Sequence, residues 1–487
     1  MSKRAQRLSP RPKLKGTTAL PTAVLMCCAV VHAAFTRTAA DIDRLMSTLH
    51  RRGQFNGAIL VASHGQIIYR KGFGQSNLQT GEAFTPETPS DVGSVTKPFT
   101  AIAIMMLAGQ KKVAFNDPVS KYIPEFSKSV HLSQVTLRQL LNHTSGIPDY
   151  GDLGVDDSGL DPHGLISAIL EKEDLLANSG LKYRYSNPGY ALLAAVVERV
   201  SGKAFSEFLG NEVFERLGMS KTFVYDSPQK KLAHTAVGYG QFGGVDDGRP
   251  TAVPGDGGVY STVDDLFKWD QALYTDRLVS QSALADAFTP GAVEEGTSTY
   301  GFGWNVEERD AGKYVWHTGS HAGFRAFMGR GLGNRVTVIM LTNKGNSKRQ
   351  EINTAVQHIL ANEPYVLPKQ SGAAKLYETI HRSGIQAALQ QYDALKDAKD
   401  SEYDLGESEL NTLGYQLLSG DKRSTDAIAI FRLNIKEHPA SSNAYDSLGE
   451  AYARSGQRGR AIRSYEMAVK LDPANTHAAG ELKKLKR

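Results

Sequence analysis

Cysteine is nearly absent from this chain of 487 residues, and the two that occur, Cys27 and Cys28, are neighbours near the N-terminus. No thiol follows them, which excludes a disulfide framework, a cysteine nucleophile, a thiolate zinc site and an iron–sulfur cluster. Net charge is scarce as well. The formal charge of +5 is concentrated in Lys3, Arg4, Arg7, Arg11, Lys13 and Lys15; without these six, 50 basic residues face 51 acidic ones. A near-neutral body lacks the basic face that nucleic acid requires, so no nucleic-acid partner is expected. The uncharged N-terminal run, residues 17–34, contains Pro21 and His32. It holds only about half of the ~20 apolar residues a spanning helix needs.

What is present is an ordinary globular balance, with 41% hydrophobic and 22% charged residues, 47 Gly and 19 Pro. It is neither disordered nor collagen-like, and the length suits two to three domains. A basic segment, a short uncharged run and the small residues Ala33 and Ala34 have the layout of a secretory leader over residues 1–34. Export to the periplasm or medium is expected, with no membrane span after cleavage; retention of the segment as an anchor is the alternative. Leu25-Met26-Cys27-Cys28 faintly resembles a lipoprotein signal, but Met26 is larger than such a signal requires.

A helical stretch from about residue 40 to Leu49 is followed by two β-rich runs, 57–63 and 67–70, around His64-Gly65-Gln66, which reads as a hairpin. Further strand-like runs at 300–306, 314–316, 324–330 and 336–341 mirror it near the other end. One antiparallel sheet built from both ends is the economical arrangement. Between them the period becomes helical: Phe99, Ile102, Ala103 and Met106 before Gly109, then Tyr190, Leu193, Ala194 and Val197 before Ser201-Gly202. Thr262-Val263-Asp264-Asp265 reads as a capping box with Asp in place of Glu. An α+β domain over residues 35–365 is predicted.

After Pro364 and Pro368 strand signals cease. Ala388/Tyr392, Ala427/Phe431 and Ala461/Tyr465 recur at separations of 39 and 34, and Pro439 and Pro473 stand 34 apart. This resembles tetratricopeptide repeats, whose small-x3-aromatic pairs allow two helices to pack closely. An all-α tail is predicted, with a helical linker or divergent repeat over 366–407 and repeats over 408–487 that offer a protein partner a surface. A plain helical bundle is the alternative.

Ser94 and Lys97, in Val92-Gly93-Ser94-Val95-Thr96-Lys97-Pro98, lie three residues apart at the start of an amphipathic helix, so the amine can reach the hydroxyl. An unassisted serine is a poor nucleophile, and an amine held out of water can take its proton. The helix N-terminus directs free N–H groups toward an oxyanion formed there. Ser-x-x-Lys alone is weak. Two companions accompany it, Tyr185-Ser186-Asn187 at another helix start and His317-Thr318-Gly319-Ser320 after a strand-like run.

Together these residues resemble the serine β-lactamase and penicillin-binding superfamily, in particular its class C and D-alanyl-D-alanine carboxypeptidase or esterase branch, whose signatures Ser-x-x-Lys, Tyr-x-Asn and Lys/His-x-Gly occur here in that order. Flanks at 140–148, 257–262 and 264–266 match too, and the resemblance covers roughly residues 40–365. It implies a β-lactamase/transpeptidase-like sheet flanked by helices, acylation of Ser94 with Lys97 drawing off its proton, and a proton shuttle through Tyr185. Asn187 would hold Lys97 and the substrate, Ser94 and Ser320 would form the oxyanion hole, and Gly319 would admit the substrate strand. No cofactor is implied.

His143, in Asn142-His143-Thr144-Ser145-Gly146, reads as architectural. His317 and His321 stand four apart, but Gly319 and Gly323 argue against a helical metal pair, and no metal is expected. His317 occupies a place where many β-lactamases carry Lys, which weakens carboxylate attraction at neutral pH and favours small esters or D-amino-acid amides over β-lactams. Arg325 reads as an exposed strand charge. The expected substrate is a small molecule or peptide; a non-catalytic penicillin-recognising or scaffold protein acting through its helical tail is the competing class.

Overall fold

The computed structural model describes residues 22–487 apart from 156–159, 174–175, 177–178, 226, 228–231, 247, 249–252 and 399–401. Residues 1–21 of the expected leader lie outside the described residues. The first helix, α1 (Thr22–Arg51), is longer than the period from residue 40 predicts. Its Ile42, Leu45, Met46 and Leu49, spaced to share a face, are fully buried. Among the described residues no helix is long and apolar enough to cross a membrane.

The hairpin forms as expected from β1 (Gly57–Ser63) and β2 (Gln66–Phe73). His64 and Gly65 both adopt positive φ, as a two-residue turn of matching twist requires. Four strands close the sheet from the other end: β3 (Asn305–Arg309), β4 (Gly312–His321), β5 (Phe324–Gly331) and β6 (Thr337–Thr342). The order is β2-β1-β6-β5-β4-β3, antiparallel throughout, and the two halves join where Ala58 faces Leu341 and Leu60 faces Ile339. One expected strand shifts. Residues 300–304 form a loop, and β3 starts at Asn305 because Gly303, at positive φ, turns the chain against Pro98.

Strand alternation places the sheet between two cores. Ile59, Val61, Phe327, Val338 and Met340 face α1 and the helix α5 (Arg349–Leu360). Ala58, Leu60, Ala326, Met328 and Ile339 face a larger helical body. That body includes α2 (Lys97–Gly109), α3 (Asn187–Ser201) and α4 (Val263–Ala272). At the start of α4 only half of the expected box forms. The Thr262 side chain accepts from Asp265 N at 3.0 Å, but the Asp265 carboxylate, one methylene shorter than Glu, accepts instead from Lys221 N at 2.8 Å and Thr222 Oγ1 at 3.0 Å.

Beyond a two-residue parallel pairing of Gln370–Ser371 with Tyr403–Asp404, the tail is helical. It comprises α6 (Gly372–Ser383), α7 (Ile385–Asp397), α8 (Glu407–Tyr415), α9 (Ser424–Glu437), α10 (Ser442–Arg454), α11 (Arg458–Leu471) and α12 (Thr476–Lys486). Their apolar faces merge into one core. Close approach depends on glycine: a Cβ on Gly414 would lie 2.3 Å from the Phe431 ring, and one on Gly449 2.8 Å from the Tyr465 ring. The chain is thus an α+β unit with an antiparallel sheet flanked by helices, followed by an all-helical region.

Candidate active site

Ser94 sits in a 3-10 turn, Gly93–Thr96, that runs directly into α2. Gly93 takes positive φ, and a Cβ there would meet Ser320 N at 2.8 Å. On the facing strand a Cβ on Gly319 would fall 1.9 Å from Val92 O. Only two glycines allow the turn and β4 to touch. β3 pairs no further along β4 than Trp316, so beyond it β4 runs past the Ser94 turn without that strand beside it.

Lys97 is completely buried, and its Nζ has three acceptors: Ser94 Oγ at 3.1 Å, Asn187 Oδ1 at 2.6 Å and Asp256 O at 2.9 Å. Three acceptors satisfy the three protons of an ammonium. A neutral amine would keep the bonds to Asn187 and Asp256 and turn its lone pair to the Ser94 hydroxyl, which is the arrangement of a base beside a nucleophile. The Nζ also lies 4.9 Å from the centre of the Tyr185 ring.

Asn187 begins α3, where the Ser186 hydroxyl caps the helix by accepting from Gly189 N at 3.1 Å. Its orientation is set from outside the helix. Asp149 accepts from Asn187 N at 3.1 Å and from Nδ2 at 3.2 Å, leaving Oδ1 for Lys97. Tyr185 rests on His143, whose ring centre is 4.3 Å away and whose Nδ1 accepts from Ser186 N at 3.2 Å. Burial, then the charge of Lys97, pushes the His143 pKa far down, so this ring is a neutral prop.

His317 is also built in. It is 3% exposed, its Nδ1 lies 2.6 Å from Thr318 O, and its Nε2 lies 2.8 Å from the Tyr300 hydroxyl. A carbonyl can only accept, so Nδ1 carries the proton and Nε2 accepts from Tyr300. Burial, with the Lys97 charge second, lowers its pKa to about 3. A partly buried cation lies beside the site, Arg349 at the start of α5, whose Nη2 donates to Ser320 Oγ at 2.7 Å. Burial, then the neighbouring Arg325, lowers its pKa to about 10. Arg325 itself is half-buried rather than an exposed strand charge: its Nη1 donates back to Ala322 O and Phe324 O, each at 2.7 Å.

The structure therefore brings Ser94, Lys97, Asn187, Tyr185, Gly319 and Ser320 to one place, with the buried His317 ring 6.5 Å from that of Tyr185. A family model named Beta-lactamase matches residues 42–362. The chain belongs to the Beta-lactamase family. It is 34% identical over 362 residues to "Penicillin-binding protein 4*" of Bacillus subtilis (strain 168), an alignment covering 69% of this chain and 78% of that protein. It is similar in structure to the octameric penicillin-binding protein homologue from Pyrococcus abyssi, with a TM-score of 0.59 and 26% identity over 70% of this chain and 80% of that one. D-amino acid amidase from Ochrobactrum anthropi SV3 shares the fold, with a TM-score of 0.58 and 22% identity over 67% of this chain and 99% of that one. Family membership brings a serine-hydrolase fold and an acyl-enzyme type of mechanism.

Sequence reasoning missed Asp149, Tyr300, Arg349 and the Asp256 carbonyl. Asp149 and Asp256 adjoin segments that match the family, and Arg349 opens a helix directly after the last strand, so position was a usable signal for these three. Tyr300 gave none, because its pairing with His317 depends on the loop before β3.

Proposed function

We propose that this chain is an exported serine hydrolase that works through an acyl-Ser94 intermediate. The carrying observation is the Lys97 amine, buried and 3.1 Å from Ser94 Oγ, with Asn187 and Asp256 fixing its other protons. In the first step Ser94 Oγ bonds to the substrate carbonyl carbon as its proton passes to Lys97. The oxyanion then collapses, the bond to the leaving group breaks, and Tyr185 delivers a proton to that group. Water repeats the sequence in reverse roles and frees the acid. Ser94 and Ser320 backbone N–H groups are assigned to the oxyanion, with no cofactor.

The substrate class we favour is a small ester, amide or D-amino-acid peptide rather than a β-lactam. Residue 317 supplies no positive charge, so any carboxylate of the substrate falls to Arg349 beside Ser320. Labelling with a fluorophosphonate and a fluorescent penicillin tests the reading: Ser94→Ala should abolish both signals, and persistent labelling would exclude Ser94. Among substrates, kcat/KM for simple nitrophenyl esters should exceed that for nitrocefin. Arg349→Ala should depress turnover of carboxylate-bearing substrates while sparing neutral esters. A scaffold protein would form no stoichiometric acyl-enzyme. The repeat-like tail, residues 408–487, is assigned to partner recognition, on the strength of its Gly414/Phe431 and Gly449/Tyr465 packing.

A further inference from the structure

We infer that the helical tail binds an acidic peptide segment of a partner protein in a groove centred on Arg432. Two clefts, of about 380 and 460 Å³, meet at this residue. The first has Arg432 of α9 on one wall and Arg460 and Arg463 of α11 on the other, with Tyr445, Leu448 and Tyr452 of α10 between them. The second continues from Arg432 toward α7, past Leu433 and Lys436 to Leu389.

Three arginines, Arg432, Arg460 and Arg463, converge on this one surface. Several other tail cations are paired internally: Arg423 with Asp426 at 2.6 Å, Arg454 with Glu450 at 2.5 Å, Lys484 with Glu481 at 2.6 Å and Lys486 with Glu466 at 2.7 Å. Among the described residues Arg432 and Arg463 have no carboxylate within ion-pair distance. Arg460 bonds only to Gln457 Oε1, at 2.8 Å, and lies 5.7 Å from the centre of the Tyr452 ring. The one acid lining either cleft is Asp393, at the far end, 3.9 Å from Lys436.

Three guanidinia facing one recess leave fork-shaped donors for external carboxylates. The recess between them has an aromatic and aliphatic floor, with Leu448 and Tyr452 buried. It suits an apolar side chain flanked by acids. Two connected clefts crossing successive helices call for an elongated ligand, and a recessed floor is of no use to a flat membrane surface. An extended acidic peptide meets all of these conditions.

Fluorescence anisotropy on the full chain tests this, with a fluorescein-labelled ten-residue probe of eight Glu and two Tyr and a counterpart carrying Gln for Glu. The Glu probe should bind at least about tenfold more tightly, with affinity falling as salt rises. Arg432→Gln with Arg463→Gln should weaken it by about tenfold or more, as expected for lost charge-assisted pairs. Lys484→Gln should leave binding unchanged, and all variants should keep ester turnover. Equal affinity for both probes, indifference to the double variant, or no saturable binding at about 1 mM protein would overturn the proposal. So would tighter, arginine-dependent binding of oligo-dT or phosphatidylserine vesicles.

Discussion

The catalytic region buries charge and the tail does not. Lys97, Asp270 and Arg330 are completely enclosed, and Asp91 and Asp265 nearly so. Among the described residues from 372 onward the buried polar side chains are Thr379, Asn434, Ser447 and Ser464, none of them charged. Burying a charge costs free energy unless partners surround it, so such groups mark places where position matters more than stability. In the sheet region they lie around Ser94 and between α4 and the sheet. In the tail, where glycine and aromatic rings fill the core, charge stays outside, and any recognition it performs must occur on the surface.

Breaking the largest buried pair gives the largest effect. Arg330 Nε donates to Asp270 Oδ1 at 2.5 Å and Nη2 to the Asp270 carbonyl at 3.1 Å, while Thr337 Oγ1 donates to Oδ2 at 2.8 Å. Arg330→Met strands the Asp270 carboxylate and should cost about 3–5 kcal/mol of stability in urea unfolding. Removing a tail cation such as Arg454, an exposed pair with Glu450, should cost less than about 1 kcal/mol. Similar losses at both sites would erase the contrast.

Acid provides a second probe of the same difference. The folded state holds His317 near a pKa of about 3 against an ordinary 6.5, and His143 is lowered likewise. Below 6.5 the unfolded chain takes up protons that the folded chain refuses. The stability these rings contribute is therefore full above pH 6.5 and falls as pH drops toward 3. His317 alone should account for about 2–3 kcal/mol between pH 6.5 and 4. All three tryptophans, Trp269, Trp304 and Trp316, lie in the catalytic region, so their fluorescence reports its unfolding selectively. His317→Gln should flatten the acid slope of that signal.

Activity should separate the regions next. Lys97→Ala and Tyr185→Phe should each slow turnover of a small ester by ~10² or more, the usual loss for an acid–base group. The groove variant Arg432→Gln should leave it unchanged. Asp91 is a subtler member of the first set: its Oδ1 accepts from Gly93 N at 2.7 Å and its Oδ2 lies 2.7 Å from His321 Nδ1, linking the serine turn to the end of β4. As a positioning residue, its replacement by Ala should lower kcat by about tenfold while leaving KM nearly constant.

Local signals made much of this legible. The β1–β2 hairpin followed from two alternating runs around His64-Gly65, and α2 and α3 from their apolar spacing and their Ser94 and Ser186 starts. Ser94, Lys97 and Asn187 were found because each sits in a short pattern at a helix N-terminus. What escaped depends on pairs remote in sequence. The partner of His317 is a tyrosine in a loop, and Asp91 meets a histidine 230 residues away. Only the closed sheet brings these together. Arg325 was misread for a different, local reason: alternation along β5 gives its face, not the turn carbonyls of Ala322 and Phe324 that its guanidinium folds back to meet.

The smallest expected effect is the loss of the whole tail. It docks through polar contacts: Gln54 Nε2 to Pro368 O at 2.9 Å, Lys348 to Asp404 at 2.6 Å, and Gln241 to Ser371 at 3.3 Å. To these is added one aromatic pair, Phe242 with Tyr377, with ring centres 4.6 Å apart. Partly exposed polar contacts contribute about 0–1 kcal/mol each, so Phe242 carries most of the docking. Both cores flanking the sheet are made of residues before 368, as are all ligands of Ser94 and Lys97. Truncation after Leu367 should therefore lower Tm by only about 2–6 °C and change small-ester turnover less than about threefold. Binding of the acidic peptide should vanish entirely. An insoluble product, or a fall in turnover beyond about tenfold, would mean that Phe242 and its neighbours hold the serine's surroundings in place, and that the two regions work as one.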